Sequence, residues 1–66
     1  MIKLKDNALK HMMIDKDVKL IELSRATGIA AGTLSSIRNG KACSGETVIK
    51  ICRALNCSLS DLVKEV

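Results

Sequence analysis

The side chains able to do covalent or metal chemistry are few: Cys43, Cys52, Cys57 and His11. A zinc site needs Cys or His ligands in closely spaced pairs. The cysteines here are odd in number and follow no CxxC spacing, and Cys52 and Cys57, five positions apart, fall on different sides of a helix or beyond its end. No metal site is expected. Cys52 and Cys57 read as small buried hydrophobes and Cys43 as a loop thiol that a cytosol keeps reduced. His11 has no Cys partner and no acid at a defined spacing, so it reads as a surface helix residue rather than a ligand or base. Without a nucleophile–base pair, a phosphate loop or a metal constellation, an enzyme is excluded, and neither cofactor nor small-molecule substrate is implied. What remains is hydrogen bonding by hydroxyls and amides, and charge recognition by lysine and arginine.

The elements that position such groups must be small. Sixty-six residues make one domain, spanning residues 1–66, and a chain this short buries only about 60% of the surface its unfolded form exposes. Hydrophobic residues make up 47% of it but aromatics are absent, so the core must come from Leu, Ile, Val, Met, Ala and Cys between short helices. Proline is absent and the glycines are confined to Gly28, Gly32, Gly40 and Gly45, which disfavours an all-β fold with its many turns. The net charge of +4 favours a polyanionic partner. The longest uncharged stretch, residues 26–37, is rich in Gly, Ser and Thr and well short of the roughly 18 apolar residues of a membrane span, so a cytoplasmic protein with no membrane partner is expected.

Periodicity predicts five helices. Ile2 and Leu4 alternate with Lys3 and Lys5, compatible with either a short strand or an ordered arm. Asp6 can cap a first helix carrying Ala8, Leu9, Met12, Met13 and Ile14. Residues 19–27 form a second, with Leu20, Leu23 and Thr27 inward and Gly28 as its stop. A third begins at Ala30 or Ala31, runs through Leu34 and Ile37 to Asn39, and stops at Gly40. Ser44 opens a fourth with Val48, Ile51, Cys52 and Leu55 on one face. Ser58 and Asp61 form a capping box for a short fifth carrying Leu59, Leu62 and Val63.

The stretch LIELSRATGIAAGTLSSIRNGK, residues 20–41, has the offsets of two helices crossing through a tight turn, a helix-turn-helix over approximately residues 19–39. Leu23 and Thr27 face inward, Ser24 keeps the close approach small, Gly28 allows the turn, Ile29 plugs the corner, and Leu34 and Ile37 pin the second helix. This segment resembles the helix-turn-helix of the phage repressor and Cro class, also called the XRE family. NGK at residues 39–41 resembles the family's recognition-helix ending, and TVIKICRALNCSLSDLV resembles its fourth and fifth helices. The resemblance covers roughly residues 6–64. It implies an all-α, compact five-helix repressor-like domain whose third helix enters the major groove.

Mapped residue by residue, the resemblance turns Ala31, Gly32, Ser35, Ser36 and Asn39 toward DNA, flanked by Thr33 and Arg38. Ser35, Ser36 and Asn39 can bond base edges, and Ala31 can touch a thymine methyl. Lys19, Arg38 and Lys41 are phosphate contacts, as are the amides that open helix two near Lys19 and Leu20. Lys3, Lys5, Lys10, Lys16, Lys50, Arg53 and Lys64 read as solvated charge.

The chain departs from the family at Leu20, where Gln is common, at Ser24, where Ala is, and at Ala30, where a Ser or Thr cap is usual. AAGT also lacks the long side chains that make bidentate base contacts. The expected function is a sequence-selective double-stranded DNA-binding transcriptional regulator, a repressor, working as a homodimer on two-fold related half-sites. The alternative is a protein-binding module in which residues 30–33 accept a partner helix. Val63 and Val66, or Ile2 and Leu4, are the candidate dimer surfaces.

Overall fold

The helices alternate with short turns in the order α1 (Ala8–Asp15), α2 (Leu20–Thr27), α3 (Ala31–Arg38), α4 (Gly45–Leu55) and α5 (Leu59–Leu62), in a computed structural model that describes residues 1–64. Each of the first four ends at a left-handed residue: Asp17 (φ 55°), Gly28 (φ 75°), Gly40 (φ 110°) and Asn56 (φ 52°). Three of these ends share one hydrogen-bond pattern. Val18 N–H donates to the Met13 carbonyl at 2.8 Å and Asp17 N–H to Ile14 at 3.1 Å; Lys41 and Gly40 do the same to Ser36 and Ile37, and Cys57 and Asn56 to Cys52 and Arg53. This is the Schellman arrangement, which satisfies carbonyls that the last helical turn leaves unpaired. Glycine enters that conformation without steric cost, and Asp and Asn tolerate it because their side chains are short and polar.

The helix starts differ from one another. Asn7, itself left-handed at φ 59°, precedes α1 and makes no side-chain cap, so the expected Asp6 cap is not used. Ser44 caps α4 by accepting from Thr47 N–H at 3.2 Å. At α5 the Asp61 carboxylate accepts from both the Ser58 N–H (2.9 Å) and its hydroxyl (3.0 Å), which holds its pKa below the usual carboxylate value.

One apolar cluster joins the elements. Leu9, Leu23, Leu34, Val48, Ile51 and Leu62 are almost wholly buried, and no polar or charged side chain is buried among the described residues. Burying each aliphatic side chain contributes roughly 1.5–3 kcal/mol, so few positions are dispensable. Ile14 departs from expectation: at 69% exposed it lies outside this cluster.

The arm is ordered, without forming a full strand. Ile2 and Cys43 exchange backbone hydrogen bonds of 2.6 and 2.8 Å, and Lys5 N–H donates to the Leu62 carbonyl at 2.8 Å. Residues 2–5 are thus clasped between the α3–α4 loop and α5, which buries Leu4 and Val63 in the core. Those two are therefore unavailable as a dimer surface, and Val66 lies outside the described residues. Among the described residues the large exposed hydrophobics are Met1, Ile14, Ile21 and Ile49.

Cys43 is buried in the loop before α4, and burial raises its thiol pKa. Cys57 lies beyond the end of α4, as one of the two expected placements had it. Wrapping the chain back through Asn56 brings it against Cys52, whose thiol is pushed up to about 11 by burial and by that neighbour. All three cysteines are free. No group of three His, Cys, Asp or Glu able to hold a metal occurs among the described residues, and no helix there is long and apolar enough to cross a membrane.

Candidate nucleic-acid interface

The corner between α2 and α3 is built from hydroxyls as well as from the glycine. Gly28 N–H donates to the Ser24 carbonyl at 2.8 Å, closing α2 with a single bond of the left-handed type. Ser24 Oγ then donates to the Ile29 carbonyl at 2.6 Å, Thr27 Oγ1 donates to the Leu23 carbonyl at 2.8 Å, and Thr27 Oγ1 accepts from Ile29 N–H at 3.2 Å. The smallness expected of Ser24 is only part of its role, because its hydroxyl also ties the turn to the helix before it. Ile29 packs half-buried against the core, and Leu34 and Ile37 fix the inner face of α3.

With 3.6 residues per turn, the side of α3 opposite Leu34 and Ile37 carries Gly32, Ser36 and Asn39, with Ser35 beside them. Gly32 and Asn39 are exposed and Ser35 and Ser36 half-buried. Ala31, expected toward DNA at the start of the helix, shares a flank with Arg38, seven residues on, and both are half-buried. Thr33 is exposed on the other flank. Ser36 Oγ donates to the Gly32 carbonyl at 3.1 Å, so its outward capacity is that of an acceptor. Ala30 precedes the helix in an extended conformation with no side-chain cap, as its departure from Ser or Thr implies.

Lys41 is exposed immediately after Gly40, with its backbone fixed by the bond to Ser36. Lys19 is exposed at the start of α2, but its amide is not a free phosphate donor. The Glu22 carboxylate accepts that N–H at 3.0 Å, and a negative charge at this end of the helix disfavours a second anion there. The expectation for the Lys19 amide is corrected accordingly. A visible signal existed, since a Glu three positions after the cap is the acidic half of a capping box. The Thr27 and Ser24 clamps carried no comparable signal, because hydroxyls near a helix end can turn inward or outward.

Two crossed helices, the second with a small polar outer face and both flanked by unburied cations, belong to a nucleic-acid-binding architecture. The sequence model of the Cro/C1-type HTH DNA-binding domain matches residues 8–65. The chain belongs to this family. This Cro/C1-type chain is therefore a DNA-binding helix-turn-helix domain, with double-stranded DNA as its partner. No curated protein and no solved structure matches it closely enough to add to that assignment.

Proposed function

We propose that this Cro/C1-type chain acts as one domain, a sequence-selective transcriptional repressor of the cytoplasm that reads the major groove with α3. The observation that carries the proposal is the outer face of α3. Gly32, Ser35, Ser36 and Asn39 lie opposite the buried Leu34 and Ile37, on a helix whose approach angle the α2–α3 corner holds. Asn39 offers a bidentate amide and the two serines offer hydroxyl oxygens for base edges, while Ala31 and Thr33 border them with apolar methyls. Lys19, Arg38 and Lys41 contact phosphates and set the register.

So short a set of reading groups discriminates modestly, each good bidentate contact being worth about 1–3 kcal/mol. Two copies on half-sites about one helical turn apart double that discrimination, which is the reason to propose a homodimer.

Selection of bound fragments from a randomised duplex library at near-physiological salt tests the proposal. Enrichment of a two-fold symmetric motif is the expected result. Salt-sensitive retention without a motif would replace sequence reading by general duplex binding. If nothing is retained, the small-residue surface around Gly32 and Thr33 is left as a site for a partner helix.

A further inference from the structure

Two clefts flank α3 on the side of Arg38. One, of about 380 Å³, lies between the arm and the end of α3, and its lining includes Lys3, Lys5, Lys10, Arg38, Asn39 and Gly40. The other, of about 440 Å³, lies between the end of α1 and the start of α2, and its lining includes Lys10, Ile14, Lys19, Leu20 and Arg38. Lys10 and Arg38 line both, so the two clefts meet across them. Together they present Lys3, Lys5, Lys10, Lys19 and Arg38 against the lining carboxylates of Asp6 and Asp17, with Glu22 bonded to the Lys19 amide at the α2 end, so the side chains and not the helix-start amides carry the positive charge.

Of these cations Lys5 is already engaged, its ammonium donating to the Ser60 carbonyl at 2.7 Å. The other four take no part in an ion pair within the described residues, where the one salt bridge is Lys50–Glu46. Lys3 does not ride on a loose tail. The backbone on either side of it is fixed, at Ile2 by Cys43 and at Lys5 by Leu62. Like charges held side by side on packed elements repel one another, and an anion with regularly spaced charges relieves that repulsion.

We propose that Lys3 and Lys10, with Arg38 and Lys19, form a continuous track for the phosphate diesters of one DNA strand, running from the start of α2 across α1 to the arm. Asn39 and Gly40 line the arm-side cleft, so the track borders the outward face of α3 at its C-terminal end. A strand bordering the groove that α3 occupies would pass along it. The proposal rests on duplex DNA as the partner, and assigns phosphate contacts to two residues that otherwise serve only as solvated charge.

The test is equilibrium binding to a duplex of about two helical turns, roughly 20 base pairs, across a range of salt concentrations. Lys3→Gln, Lys10→Gln and the double variant are compared with wild type and with Arg53→Gln. Arg53 lies on a separate cleft with Ala26 and Lys50, so it makes the same change in net charge elsewhere. Circular dichroism establishes that every variant keeps its helices.

Because affinity falls with a log–log slope of about −0.9 per neutralised phosphate, each track variant should flatten the slope by about 0.9 and the double by about 1.8, with sequence preference unchanged and Arg53→Gln near wild type. Track variants indistinguishable from Arg53→Gln would overturn the track and leave DNA binding standing. A wild type with no salt-dependent retention of duplex would overturn DNA binding itself, and the track with it.

Discussion

The α2–α3 corner and the outward face of α3 are neighbouring parts of one motif, yet they use polar side chains in opposite ways. At the corner, Ser24 and Thr27 are bound back onto the Leu23 and Ile29 backbone. On the outward face, Asn39 is exposed and without a side-chain hydrogen bond among the described residues, and the helix begins at Ala30 with no cap. Hydroxyls at the corner hold an angle between two helices, whereas groups on the face must stay available to a ligand. The difference teaches that the side-chain hydrogen bonds fixing the helix crossing lie beside the reading surface, within which Ser36 bonds back only to its own helix at Gly32.

The largest effect should come from removing the support under the reading face. Leu34 is fully buried, and Leu34→Ala should cost about 2–5 kcal/mol of stability, read as a lowered urea midpoint. A loss under about 1 kcal/mol would mean that α3 is not held by the core. Next come the corner hydroxyls. Ser24→Ala and Thr27→Val should each cost about 1 kcal/mol, whereas Ala30→Ser, which supplies the missing cap, should add about 1 kcal/mol. If Ala30→Ser left thermal stability unchanged, the uncapped start would not be a weak point.

Substitutions on the face itself should be thermodynamically quiet and functionally loud. Asn39→Ala should shift stability by less than about 0.5 kcal/mol while relaxing preference at one base position in the enriched motif. Arg38→Ala should instead weaken binding to all sequences alike and flatten the salt slope by about one. The same preferences and slope as wild type in both variants would remove α3 from the docking geometry.

The smallest effect lies far from the face, at Asp61. The Ser58 hydrogen bonds lower its folded pKa, so the stability it contributes is present above the ordinary carboxylate pKa and is lost as pH falls through the lowered folded value. Asp61→Asn should therefore make the acid side of the melting-temperature profile shallower, and an unchanged profile would show that the capping box does not couple to folding.

The scaffold was legible because its signals are periodic. Leu23, Leu34, Ile37, Val48, Ile51 and Leu55 repeat at helical spacing, and Gly28 and Gly40 mark two helix ends. The left-handed stops at Asp17 and Asn56 carried no such signal, because Asp and Asn there look like any other polar residue. Ile14 continued an apolar pattern past the point where α1 leaves the core. Leu4 and Val63 lie near the ends of the chain, where local patterning cannot reveal that the arm and α5 cover one another. Within the interface, periodicity located α3 and its outward residues, but that Lys10 and Arg38 line the same two clefts was not legible, since they belong to different helices.

The clasp on residues 2–5 has a consequence in time. The α2–α3 corner closes between neighbours in sequence, whereas the links from Ile2 to Cys43 and from Lys5 to Leu62 join residues 2–5 to the α3–α4 loop and to the end of α5. Closing long loops carries the larger entropic cost and comes late. Because its bonds need both the α3–α4 loop and α5 in place, the basic arm is the last part of the molecule to take up its position and, in native-state hydrogen exchange, should be the first to open.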